Sequence, residues 1–298
     1  MNIIKKVPIP ISGLILAILS LGNLLQDYSP NFKVLCGVIG FILIFLLIFK
    51  VIRFPYDVLG DLSNPIILSN SGTFTMALMI SSTYLSLFNG GLALCVWILG
   101  VALHILLIIW FTYCYIIQHF DINVVYPSWW IVFIGITMGA ITAHVHGFFE
   151  IAYLFFIFGF LSMIITLPLV VCRYIKYPNK LDQNKPLICI FTAIFSILIV
   201  GYTNSFSILN YEFLMVMYLI ACALFIFALC KVIEYRGLDF YPSFSAFTFP
   251  FVITAIASSE VYAINQNFII HVMMIFQTVI ACILVIYVLY CYLKFLLS

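Results

Sequence analysis

His144 and His146, with His271 further along the chain, have the chemistry to hold a metal ion or a haem, which would make this a membrane redox carrier or sensor. Their spacing argues against it, because residues at i and i+2 of a helix do not share a face. His104 stands alone in an apolar run, where an imidazole more often hydrogen-bonds a neighbouring helix than relays a proton. Glu150, Glu212 and Glu260 have almost no basic residues near them. The nine cysteines are scattered singly with no C-x-x-C pair, so neither a disulfide framework nor a zinc site is indicated. No P-loop, Rossmann glycine pattern or nucleophile elbow is present. The expectation is no catalytic residue, no metal and no cofactor.

The patterned chemistry is neutral instead. Hydroxyls and glycines recur at helical spacing: Thr75, Ser82 and Ser86; Ser128, Gly135 and Thr142; Thr192, Ser196 and Thr203. Such spacings keep them on one helix face. With Ser12 and Ser245, the residues Thr75, Ser82, Thr142, Thr192 and Ser196 are candidates to line a polar path. Close packing of small residues is the alternative use of the same pattern. A neutral path of hydroxyls and broken helices would bind an ion weakly at several places, as conduction requires. Coupled transporters usually keep ionisable relays at membrane depth, and none lies mid-way along these runs, which favours a channel or facilitator.

The elements that carry these residues are membrane spans. The chain has 298 residues, of which 66% are hydrophobic and 7% charged, with a mean hydropathy of +1.26. Soluble domains carry about 25% charged residues, so this composition excludes a water-soluble fold. The basic residues are scattered among loops, and the net charge of +2 implies no nucleic-acid partner. MNIIKK before the first apolar run resembles the start of a signal peptide, but no small-residue cleavage site follows Leu25, so a retained first helix is expected. Apolar runs of spanning length predict ten helices at about 8–25, 33–53, 70–87, 91–117, 128–143, 148–173, 187–204, 212–233, 243–260 and 268–296. Placing the N-terminus in the cytoplasm puts 11 of the 12 Lys and Arg on the cytoplasmic side, Lys33 being the exception. The positive-inside rule then sets both termini in the cytoplasm.

Pro10, Pro65, Pro127, Pro186 and Pro242 mark the starts of the odd-numbered helices at intervals of 55 to 62 residues. That period predicts one all-α transmembrane domain, 1–298, built as five hairpin repeats at about 8–53, 65–117, 127–173, 186–233 and 242–296. The odd spans hold 21 Ser and Thr against 4 in the even spans, which predicts odd helices inside around a central pore and even helices outside. Laying YPSWWIVFIGITMGAIT on YPSFSAFTFPFVITAIA sets Gly135 on Pro250. Pro10, Gly13, Gly135 and Pro250 are the expected helix-breaking positions.

At VPIPISGLILAILSLGN, YPSWWIVFIG and AFTFPFVITAIA the sequence resembles the tellurite-resistance/dicarboxylate transporter family, which includes plant guard-cell slow anion channels. The resemblance runs over nearly the whole chain. It implies a homotrimer in the lipid bilayer, each protomer with its own pore, passing small inorganic anions or organic acids. It also implies that Phe249, just before the break in the ninth helix, plugs the pore. Family members often carry a tryptophan pair where this chain has Phe244-Ser245, and the long regulatory tails of the plant channels have no counterpart here. No phosphorylation control is therefore expected. The expected location is a bacterial plasma membrane. The alternative within the same resemblance is a proton-coupled C4-dicarboxylate or tellurite-resistance secondary transporter.

Overall fold

A computed structural model describes residues 3–177 and 181–298. Lys180, one of the basic residues used above for orientation, lies outside the described residues. The main helices are α1 (Ile11–Leu25), α2 (Pro30–Arg53), α3 (Pro65–Leu85), α4 (Gly90–Thr112), α5 (Trp129–His146), α6 (Phe149–Lys176), α7 (Asp182–Ser205), α8 (Tyr211–Glu234), α9 (Pro242–Ile264) and α10 (Phe268–Leu297). Among the described residues, eight helices are long and apolar enough to cross a membrane, and α1 and α3 are not among them. α1 has only 15 residues. α3 has 21, but Ser69, Asn70, Ser71, Thr73, Thr75, Ser81, Ser82 and Thr83 dilute its apolar character.

Burial divides the helices as the hydroxyl distribution predicts. The core windows of α5, α7 and α9 are 72%, 78% and 67% buried, whereas those of α2, α4, α6, α8 and α10 lie between 22% and 39%. α1 is buried along almost its whole length and α3 along most of it. The outward faces of the less buried helices carry large apolar side chains such as Phe45, Ile109, Ile165, Leu219 and Ile286. That surface suits lipid tails and not water. Each buried helix packs on the exposed helix that follows it, and the buried ones also pack on one another: α1 on α3, α3 on α5, α5 on α7, α7 on α9, and α9 back on α1.

Short polar turns make the reversals. Ser29, Asn89, Asn210 and Asn267 cap α2, α4, α8 and α10, each side chain accepting a backbone N–H of the first turn. Such caps satisfy donors that the helix itself leaves free. Between α5 and α6, Gly147 adopts a left-handed φ of 76° that a side chain would resist.

The buried α5 and α9 are each broken once, α5 around Gly135 and α9 ahead of Pro250. α5 divides into Trp129–Phe133 and Thr137–Ala143. Through the gap, Gly135 N–H reaches back to Trp130 O at 3.2 Å, and Thr137, Met138 and Gly139 make tight i−3 bonds. A Cβ at Gly135 would overlap Ile131 O, so only glycine fits there. α9 runs as a 3₁₀ helix over Pro242–Phe247, breaks at Thr248 (φ −109°, ψ −84°) and resumes as an α-helix over Phe249–Ile264. Pro250 therefore starts a helix instead of interrupting one, a position where its missing N–H costs nothing. Gly13 lies within α1, not at a break; its Cα faces Ser245, where an added Cβ would sit 3.1 Å from Ser245 Cβ. Pro10 caps the start of α1.

Thr137, just after the α5 break, is wedged between Gly159 of α6 and Gly201 of α7, and a Cβ on either glycine would overlap it. Overpacking a tight core typically costs about 1–3 kcal/mol. Gly201→Val is therefore expected to lower the thermal transition of the purified protein in detergent, whereas Gly60→Ala, at a position with open space around it, leaves it unchanged.

Candidate functional site

The five buried helices enclose one narrow cavity of about 50 Å³. Gly13 comes from α1, Asn70, Thr73 and Met76 from α3, and Trp130, Ile131 and Gly135 from α5. Ile190 and Ile194 come from α7, and Ser245, Ala246, Phe249 and Pro250 from α9. Both helix breaks thus open on the same space. None of its lining residues is ionisable. A buried water needs about 10–15 Å³ of such volume, so the cavity has room for only a few waters. Phe249 is 6% exposed and forms part of its wall.

The hydroxyls expected to face the path are mostly spent between helices. Ser12 Oγ donates to Ile9 O at 2.8 Å and meets Thr73 Oγ1 at 2.7 Å, joining α1 to α3. Thr192 Oγ1 and Ser196 Oγ lie 3.2 and 2.8 Å from Thr254 Oγ1, joining α7 to α9. Thr75 Oγ1 meets His104 Nδ1 at 2.5 Å, Ser82 Oγ lies 3.0 Å from His146 Nε2, and Thr142 Oγ1 accepts from Trp97 Nε1 at 2.8 Å. Of the seven candidate lining residues, Ser245 alone reaches the central cavity, and Thr142 reaches a second pocket described below. Common spacing placed these hydroxyls on one face, but periodicity does not say which way that face points. Asn70, Thr73 and Trp130 were missed. A side-chain amide among the hydroxyls of α3 was the available signal for Asn70.

His104 explains how α5 tolerates its gap. The imidazole is fully buried, with Nε2 3.1 Å from Val132 O. An unbroken helix would supply that carbonyl with the N–H four residues on. A carbonyl only accepts, so Nε2 carries the proton; Nδ1 meets the Thr75 hydroxyl, which also donates to Gly72 O at 2.8 Å. The ring also lies against the break, since a Cβ on Gly135 would sit 2.9 Å from His104 Cε1. One outer side chain thus ties α3, α4 and α5 together.

A second pocket of about 410 Å³ lies where α1, α3, α5, α7 and α9 end. Asp27, Lys33, Thr142, His144, Asn204 and Glu260 are among its lining residues. Lys33 is its one basic side chain apart from His144, and its Nζ donates to Gln26 Oε1 at 2.8 Å. Glu150 and Glu212 do not reach this pocket; they sit in the first turns of α6 and α8, where a carboxylate is favoured by the helix dipole. His271 stacks on Tyr262, with ring centroids 4.6 Å apart. His144, His146 and His271 are therefore dispersed, and no cluster of three metal-ligating side chains occurs among the described residues.

Residues 7–293 match the model of the SLAC1 family, described as voltage-dependent anion channel. Among curated proteins, none matches the chain.

Replacing His104 by Phe removes both contacts and leaves Val132 O without its partner, while the Thr75 hydroxyl keeps Gly72 O. A buried polar group left unsatisfied costs about 1–3 kcal/mol. His104→Phe is expected to lower the thermal transition in detergent, and His104→Gln, which keeps a donor and an acceptor, to recover part of the loss.

Proposed function

The chain belongs to the voltage-dependent anion channel family, an integral membrane family of anion transport, and from that premise we propose a channel or facilitator whose path runs through the central cavity. The observation that carries this reading is the cavity itself, lined from all five buried helices, free of ionisable groups, and walled by Phe249 beside the α9 break. In this reading α1 to α10 are ten spans paired as five hairpins, with the odd helices inside and the even ones outside. Phe249 is the gate, Gly135 and the break before Pro250 shape the constriction, and Ser245 is its hydroxyl. The pocket lined by Lys33 and Glu260 is the outer vestibule. Both termini are cytoplasmic, the membrane is a bacterial plasma membrane, and the assembly is a homotrimer with one pore per protomer.

A neutral constriction suits passive flux, because ions bind weakly enough to leave. A proton-coupled carrier of C4-dicarboxylates is the second reading, and the observation favouring it is Glu260 in the vestibule with Asn204 and Asp27. Purified protein in liposomes separates the two. Chloride and nitrate flux that does not depend on a pH gradient, with no malate uptake, is expected; malate accumulation driven by a proton gradient would overturn the channel reading.

The gate has its own test. Phe249→Ala removes the ring from the cavity wall and is expected to raise single-channel conductance in planar bilayers several-fold. Unchanged conductance would remove Phe249 from this role.

A further inference from the structure

Resting on the central cavity as the anion path, we propose that the side-chain amide of Asn70, backed by the indole N–H of Trp130, is the anion-binding site of the constriction. It takes a monovalent anion such as nitrate or chloride by neutral hydrogen-bond donation. Asn70 is 6% exposed and lines the cavity. Its side-chain amide makes no hydrogen bond among the described residues, and its backbone carbonyl accepts from Thr73 Oγ1 at 2.7 Å. Trp130 is 3% exposed, and its Nε1 is enclosed without a partner. A buried donor left unmade is costly; the Trp130 indole is one, and with the Asn70 amide lining the same cavity it calls for an occupant.

The donor inventory determines the sign of that occupant. The Thr73 and Ser12 hydroxyls have two hydrogens for three contacts, to Asn70 O, to Ile9 O and to each other. What these hydroxyls still offer is lone pairs. An indole N–H donates and never accepts, and an amide turns its NH₂ toward negative charge. The N-terminal end of the 16-residue helix Phe249–Ile264 borders the same space through Phe249 and Pro250, adding the positive end of a helix dipole. With no cationic side chain in the lining, the site has no counter-charge for a dianion. Trp130 lines the same cavity, and its Nε1 is the donor that the protein leaves without a partner.

Nitrate flux into liposomes, measured against nitrate concentration, tests the site. Asn70→Leu, which keeps the volume and removes the donor, is expected to raise the half-saturating nitrate concentration about tenfold. Trp130→Phe is expected to raise it by a smaller factor, Asn70→Gln to recover most of the wild-type value, and Asn70→Asp to abolish nitrate and chloride flux. In detergent, a fixed nitrate concentration is expected to raise the thermal transition of the wild type most, that of Trp130→Phe less and that of Asn70→Leu least, which reads the site without transport. Wild-type saturation in both Asn70→Leu and Trp130→Phe would overturn the site while leaving the transport reading intact. Wild-type vesicles that carry neither anion would overturn the transport reading and this site with it.

Discussion

The bilayer core has no water to complete a broken backbone, so every carbonyl and amide freed inside it must find a partner in the protein. This constraint governs the arrangement around the two helix breaks. The gap in α5 frees Val132 O, and His104 of α4 occupies it at 3.1 Å. The break in α9 is held by its own residue, Thr248 Oγ1 donating to Ser245 O at 2.6 Å. At the start of α9, Tyr292 of α10 donates to Pro242 O at 2.6 Å. The outer helices are therefore more than a jacket, because they supply the polar side chains that let inner helices be irregular. Irregular inner helices in turn bring Gly135, Phe249 and Pro250 to one cavity.

Charge is kept away from that cavity. Lys5 pairs with Asp57 and Lys50 with Asp61, both at 3.3 Å, at one end of the bundle. Lys33, Asp27 and Glu260 gather at the other. Between them the interior is neutral, and its hydroxyls mostly hold helices together in pairs. A neutral, partly apolar constriction with charged ends is a reasonable compromise for moving an anion: desolvation is costly in the middle, and the permeant is not trapped there.

Much of the fold was legible in the sequence. Prolines at regular intervals and the concentration of Ser and Thr in alternate runs predicted which helices would be buried, and burial follows that division. Gly135 lies in the gap between the two halves of α5. The α9 break falls two residues before Pro250, for a reason that the sequence also contains: proline is at home in a helix's first turn. What could not be read was direction. Thr75, Ser82 and Thr142 share a periodicity with a lining face, yet Thr75 turns to His104 and Thr142 to Trp97. Those partners lie on other helices, and no spacing within one helix reports them. Asn70 and Trp130 went unremarked for the same reason, since their significance lies in the partners they lack.

The central claim is that anions pass between the five inner helices and that Phe249 closes the way. Ala246 lines the cavity beside Phe249, so Ala246→Cys places a thiol on the proposed path. In planar bilayers, the double variant Ala246→Cys with Phe249→Ala should carry anion current that a water-soluble methanethiosulfonate reagent blocks irreversibly, while Phe249→Ala alone is unaffected. Current that persists unchanged after the reagent has been shown by mass to modify the introduced thiol would mean that the ions travel elsewhere.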